Sequence, residues 1–123
     1  AAIHQRVKKL EESGVILGSR LEVNPKMLGY DVCATIGIRI SDPTKTIQTV
    51  EHLKKIPEIT ECHFITGKYN ILMKIYCTTN EHLMHTIFDH ILPLPEVSQT
   101  ETFISLIQSF DRQVEIPDIE EDL

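Results

Sequence analysis

Residues 58–77, EITECHFITGKYNILMKIYC, hold two runs of alternating side chains joined by a short turn, Thr66-Gly67-Lys68-Tyr69-Asn70. Successive side chains on a strand point to opposite faces. Ile71, Met73, Ile75 and Cys77 therefore line one face of the second run. In the first run Cys62 and Phe64 share one face, and Glu61 and His63 the other. Period-two alternation across a Gly-containing turn predicts an antiparallel hairpin. Both outward faces keep apolar or weakly polar side chains, which predicts that the second face of the sheet is covered, with another subunit as the candidate cover.

The flanking chain extends this hairpin into a domain. From Asp31 to Ile40 the residues Val32, Ala34, Ile36, Ile38 and Ile40 alternate with Cys33, Thr35, Gly37 and Arg39, a strand. Asp42-Pro43 supplies a cap and a first-turn proline for a helix with a stripe of Ile47, Val50, Leu53 and Ile56, stopped by Pro57. Thr79-Asn80 caps a second helix, with Leu83, Met84, Ile87, Phe88 and Ile91 at spacings of three and four. Pro93 and Pro95 end it, and a last strand runs from about Val97 to Ile107. The order β-α-β-β-α-β is the split βαβ arrangement of an α+β, ferredoxin-like domain. Two helices cover one sheet face. The other is expected to carry Thr35, Arg39, Thr100 and Thr102, a mixed surface suited to pairing with a second sheet in a homodimer.

Before this domain, Ile3, Val7 and Leu10 mark one side of a helix over residues 2–13, which Gly14 terminates. The opposite side shows His4, Gln5, Lys8 and Lys9. No capping residue precedes the helix, so it is expected to be the last helix of a larger unit that begins before Ala1. A strand-like stretch follows through Leu21 and Val23 until Asn24-Pro25 breaks it. The expected divisions are 1–27, 28–110 and an acidic tail at 111–123.

A net charge of −6 argues against a nucleic-acid surface spread over the whole chain. It conceals an asymmetry. Residues 1–20 hold four basic residues against two acidic ones, whereas 111–123 hold Arg112 against six acids. The three unpatterned cysteines, Cys33, Cys62 and Cys77, read as buried thiols in a reducing compartment, so a cytoplasmic location is expected. No run has the length and apolarity of a membrane span or a secretory leader.

Three groups invite a chemical reading. His82, His85 and Asp89 stand at i, i+3 and i+7, but on the polar side of a helix and without a nearby fourth ligand, so no metal is expected. Cys62 and His63 are neighbours on a strand and point apart, which prevents a thiol–base pair. Glu61 and Glu101 would meet only by accident of register. No catalytic residue and no cofactor are expected, and nothing resembles a nucleophile elbow or phosphate loop. The turn 66–70 has two readings: Gly67 and Asn70 suit any hairpin turn, and exposed amides beside Lys68 and Asn70 suit the carboxylate and amide of a small ligand.

The run Ile3-His4-Gln5-Arg6-Val7-Lys8-Lys9-Leu10-Glu11-Glu12-Ser13-Gly14-Val15-Ile16 resembles the recognition helix and exit of the feast/famine (Lrp/AsnC) transcriptional regulators. Glu61 to Asn70 is similar to the family's effector-domain signature, and Leu94-Pro95-Glu96-Val97 with Thr100-Glu101-Thr102 to the entry of its last strand. The stretch Asn24 to Val32 looks closest to the asparagine-responsive branch. The resemblance runs to about Asp111.

It implies an effector domain that dimerises sheet to sheet, assembles further, commonly to octamers, and binds a free amino acid where dimers meet. On that pattern Gly67, Lys68, Tyr69 and Asn70 form the effector loop, with Thr100 and Thr102 as contributors and asparagine as the favoured ligand. Many relatives have acids where Lys68 and Asn70 stand. The resemblance also implies that His4, Gln5, Lys8 and Lys9 face double-stranded DNA, with Arg6 on backbone phosphate. The alternative is a stand-alone amino-acid-sensing domain without its own DNA binding.

Overall fold

The computed structural model describes residues 2–117. Residues 24–108 make one compact unit, and residues 2–23 with 109–117 belong to another. The acids Asp118, Glu120, Glu121 and Asp122 of the expected tail lie outside the described residues.

In the larger unit, β1 (Val32–Ile40), β2 (Ile59–Phe64), β3 (Ile71–Cys77) and β4 (Val97–Ser105) form one antiparallel sheet in the order β2-β3-β1-β4. Helix α2 (Thr46–Leu53) joins β1 to β2, and α3 (Asn80–Thr86) joins β3 to β4. This is the ferredoxin-like β-α-β-β-α-β order, preceded by the helix α1 (Ala2–Glu12). Because β1 and β3 sit in the middle, their alternating apolar rows form the core: Ala34, Ile36, Ile38 and Ile40 from β1, and Ile71, Met73, Ile75 and Cys77 from β3. Leu53, Ile56, Leu83 and Ile91 close over them. No described helix is long and apolar enough to cross a membrane.

The helix starts follow their caps. Asp42 Oδ1 accepts the amide hydrogen of Thr44 at 3.0 Å and opens a 3-10 turn over Pro43–Lys45 before α2. Thr79 Oγ1 accepts the amide hydrogen of His82 at 3.0 Å and opens α3.

Several expectations need correction. Ile47 is 69% exposed and is not part of the buried stripe; Thr49, wholly buried, takes its place. On α2 the inward line passes through Thr46, Thr49, Val50 and Leu53, and Ile47 falls one residue past Thr46, about 100° round the helix. Regular α2 also ends at Leu53, and Ile56 reaches the core from the turn that follows. Met84 and Phe88 likewise stay 45% and 59% exposed. After Thr86 the helix widens into π geometry over Ile87–Ile91, with the Leu92 amide donating to the Ile87 carbonyl at 2.8 Å. Each residue then turns by less than in an α-helix, which brings Ile91 back over the core beside Leu83; Met84, in the regular turn before it, already lies about 100° round from Leu83, and Phe88 falls on the same flank.

The expected strand through Leu21 and Val23 does not form among the described residues: 17–24 belong to no helix or strand, and a strand needs a hydrogen-bonded neighbour. β4 ends at Ser105, short of Ile107. Thr100 and Thr102 pair with Ile38 and Ile36, so they share the helix-covered side of the sheet. Gln99, Glu101 and Phe103 occupy the open side with Arg39, Gly37 and Thr35. The bulge between Arg39 and Ile40, which sets Ile40 against Val97, lies beside this end of β4.

Core position predicts sensitivity. Ile36→Ala should lower unfolding stability by about 2–5 kcal/mol, whereas Ile47→Ala should change it by less than about 0.5 kcal/mol. Urea unfolding at one fixed protein concentration measures both.

Candidate functional site

The turn between β2 and β3 is bound to the middle of the sheet by its own residues. Gly67 has φ +107°, a conformation that a side chain disfavours, which is why glycine stands there. The Asn70 amide donates to the Ile38 carbonyl at 2.8 Å, and the Ile65 amide donates to the Asn70 carbonyl at 3.0 Å. Asn70 Oδ1 accepts the amide hydrogen of Ile40 at 2.7 Å. That bond fixes the orientation of the carboxamide and continues the β1–β3 ladder beyond its last backbone pair.

Tyr69 does something different. Its ring lies flat against Gly37 at the centre of β1, where an added Cβ would stand 2.9 Å from two ring carbons. Its hydroxyl donates to the carboxylate of Glu101 on β4. The side chain thus reaches from the hairpin across the central strand to the edge strand beyond it. The Glu101 hydrogen bond, aided by burial and the Glu101 charge, raises the phenol pKa above its ordinary value near 10, while Arg39 opposes the rise. Lys68 lies beside the same ring, its ammonium 5.6 Å from the centroid.

The structure therefore brings Gly67, Lys68, Tyr69 and Asn70 together as one anchored loop. Thr100 and Thr102 do not share the face on which Tyr69 lies, because their register turns them to the helix side. Glu101, between them, is the β4 residue that meets the loop. Sequence reasoning weighed Glu101 only as a partner for Glu61, and the two stand on opposite edge strands. The usable signal was Gly37, since a glycine inside a strand marks a close approach.

The other candidates find ordinary partners. His82 Nδ1 accepts the Thr78 amide hydrogen at 2.9 Å, so its hydrogen sits on Nε2, 3.2 Å from Glu58 Oε1. His85 lies 3.3 Å from Asp89 and 3.8 Å from Glu81. No group of three or more metal-ligating side chains is assembled among the described residues. Cys62 and His63 oppose Met73 and Leu72 and so face opposite ways. Of the three thiols expected to be buried only Cys77 is; Cys33 is half-buried and Cys62 exposed. Partial desolvation still pushes the Cys62 thiol up, away from its reactive form. On α1, His4, Gln5, Arg6, Lys8 and Lys9 are all exposed.

The larger unit is thus a four-stranded sheet with one helix-covered face, one open face and an anchored polar loop at one end. In the sequence comparison, residues 33–115 match the family described as the Lrp/AsnC ligand binding domain. The chain belongs to the Lrp/AsnC family, which places it among regulatory proteins and not among enzymes. It is 38% identical over 104 residues to the regulatory protein AsnC of Escherichia coli K12, covering 85% of this chain and 68% of that protein. It is 36% identical over 117 residues to the transcriptional regulator FL11 of Pyrococcus abyssi, covering 95% of this chain and 76% of that protein. The solved structure of E. coli AsnC superposes with a TM-score of 0.88 at 35% identity, covering 92% of this chain and 76% of that one. A Neisseria meningitidis regulator solved with L-methionine shares the fold at 18% identity, with a TM-score of 0.85 and coverage of 100% of this chain and 79% of that one.

Two predictions follow the geometry of the loop. Asn70→Ala leaves the Ile40 amide without its acceptor and should cost about 1–3 kcal/mol, whereas Asn70→Asp keeps an acceptor and should retain most of that stability; chemical denaturation at neutral pH compares them. The raised phenol pKa means that the Tyr69 contribution is fully present below pH 10 and is lost as pH rises through the higher folded-state value. Titration followed by phenolate absorbance should show a late component that Tyr69→Phe removes.

Proposed function

We propose that residues 28–110 are an amino-acid-sensing effector domain of a transcriptional regulator, with the ligand held at the loop Gly67, Lys68, Tyr69 and Asn70. The observation that carries this reading is the anchored loop. Its backbone and side chains are fixed by Ile38, Ile40, Gly37 and Glu101 before any ligand arrives, so little ordering cost opposes binding. Family membership supports the ligand class, and similarity to AsnC favours asparagine. Thr100 and Thr102 belong to the reading as contributors from the neighbouring strand.

Two copies pair across the open sheet face, where Phe103 is 52% exposed, and pairs assemble further, to an octamer in the fullest form. The effector acts by binding one assembly better than another, and it shifts the equilibrium only by that difference. Regulation takes place in the cytoplasm.

The sensing domain without DNA binding of its own accounts for the described residues most economically. The reading that adds DNA is favoured by one observation: α1 has no buried residue and presents His4, Gln5, Lys8 and Lys9 on its surface, with Ile3 and Val7 exposed as well. An isolated helix of 11 residues is marginal in water, so this reading requires packing partners for its apolar side. In a protein that includes them, 1–27 completes a helix-turn-helix and its linker, Arg6 meets phosphate, and the acidic tail at 111–123 stays outside the DNA contact.

Light-scattering mass, titrated with asparagine, glutamine, leucine and methionine, tests the sensing function. The expected result is an assembly larger than a dimer whose mass or stability responds to asparagine. A monomer with and without every amino acid would sink the proposal.

A further inference from the structure

The attachment of the loop has an unusual route. Backbone pairing and the Asn70 carboxamide tie it to β1, its immediate neighbour in the sheet. Tyr69 instead passes over β1 and ends on Glu101 of β4. That passage is open only because residue 37 lacks a side chain, since a Cβ there would overlap the ring. Gly37 pairs with Leu72 on one side and Glu101 on the other, in a row on the sheet face opposite the helices. The ring therefore occupies a place on the open face, beside the row that holds Thr35 and Phe103.

We propose that Tyr69 is the positioning residue of the 66–70 loop, and that it couples the loop to the pairing of two copies because its ring forms part of the face on which they meet. The positioning stands on the geometry alone; the coupling rests on the pairing and effector reading given above. A loop held in this way presents its amides in one arrangement while the ring is seated. Release of the ring both loosens the loop and roughens the face.

The two halves are tested without ligand. In amide hydrogen exchange of the whole chain, Tyr69→Ala and Gly37→Ala should each speed exchange within 66–70 by about tenfold, with α2 and α3 unchanged. The double variant should exchange like Tyr69→Ala alone, because the methyl at 37 then meets no ring. Glu101→Ala, at an exposed position that leaves the core intact, should give a smaller rise in the same direction and serves if Gly37→Ala fails to fold. Unchanged exchange in both Tyr69→Ala and Glu101→Ala overturns the positioning role, as does additivity in the double variant. Sedimentation should show weaker self-association for Tyr69→Ala; equal association with a loosened loop overturns the coupling. If calorimetry finds no amino acid bound by the unaltered chain, the effector reading fails, and the exchange result still decides the role of Tyr69.

Discussion

The larger unit depends on the burial of β1 on both sides at once. Toward the helices, Ile36 and Ile38 are wholly enclosed by β3, Leu53 and the end of α3. On the opposite side the same strand gives up a side chain at Gly37 and is covered by Tyr69 instead. Two registers therefore fix on one strand: the pairing with β3 that aligns the isoleucine rows, and the pairing with β4 that brings Glu101 within reach of the phenol. A slip of one residue between β1 and β3 would turn a core row outward, and one between β1 and β4 would separate Tyr69 from its acceptor, so both depend on the placing of β1. Loop geometry and core packing are in this sense one constraint.

Strands with clean period-two patterning were legible in the sequence, because both central strands bury every second residue and the pattern has no other explanation. β3 alternates buried and half-buried without exception. The helices were legible as elements but not in phase. A stripe of Ile47, Val50, Leu53 and Ile56 assumes regular α geometry from Pro43 onward, and the chain enters α2 through a 3-10 turn and leaves it three residues before Ile56. After α3 the π segment returns Ile91 to the core and leaves Phe88 outside it. Local departures from 3.6 residues per turn leave no mark on hydrophobic periodicity, and they decide which of two adjacent apolar residues is covered.

The loop was legible as a loop, and its partners were not. Its composition alone favoured a plain hairpin turn, and only the family resemblance pointed to a ligand site. The expected placement of Thr100 and Thr102 on the open face of the sheet failed on a bulge near the start of β4 and on the parity of pairing, which a single strand's sequence cannot express without its partner's register. Glu101 was visible as a carboxylate and invisible as an acceptor. Gly37 was the one residue whose presence inside an otherwise branched, apolar strand announced a close neighbour.

The π segment carries an implication for how the length of this chain can vary. An α-helix joining Thr86 to Leu92 with its inward residues aligned would need one residue fewer than Ile87–Ile91 provides. The segment is therefore a built-in slack in the connection to β4. Removing one residue from it would let regular α geometry close the connection with the inward residues still aligned, so that Leu94 and Glu96, whose carbonyl receives the Ser41 amide at 2.9 Å, keep their places. A one-residue change of length at this point is thus absorbed within the helix and does not reach the strand that carries Glu101.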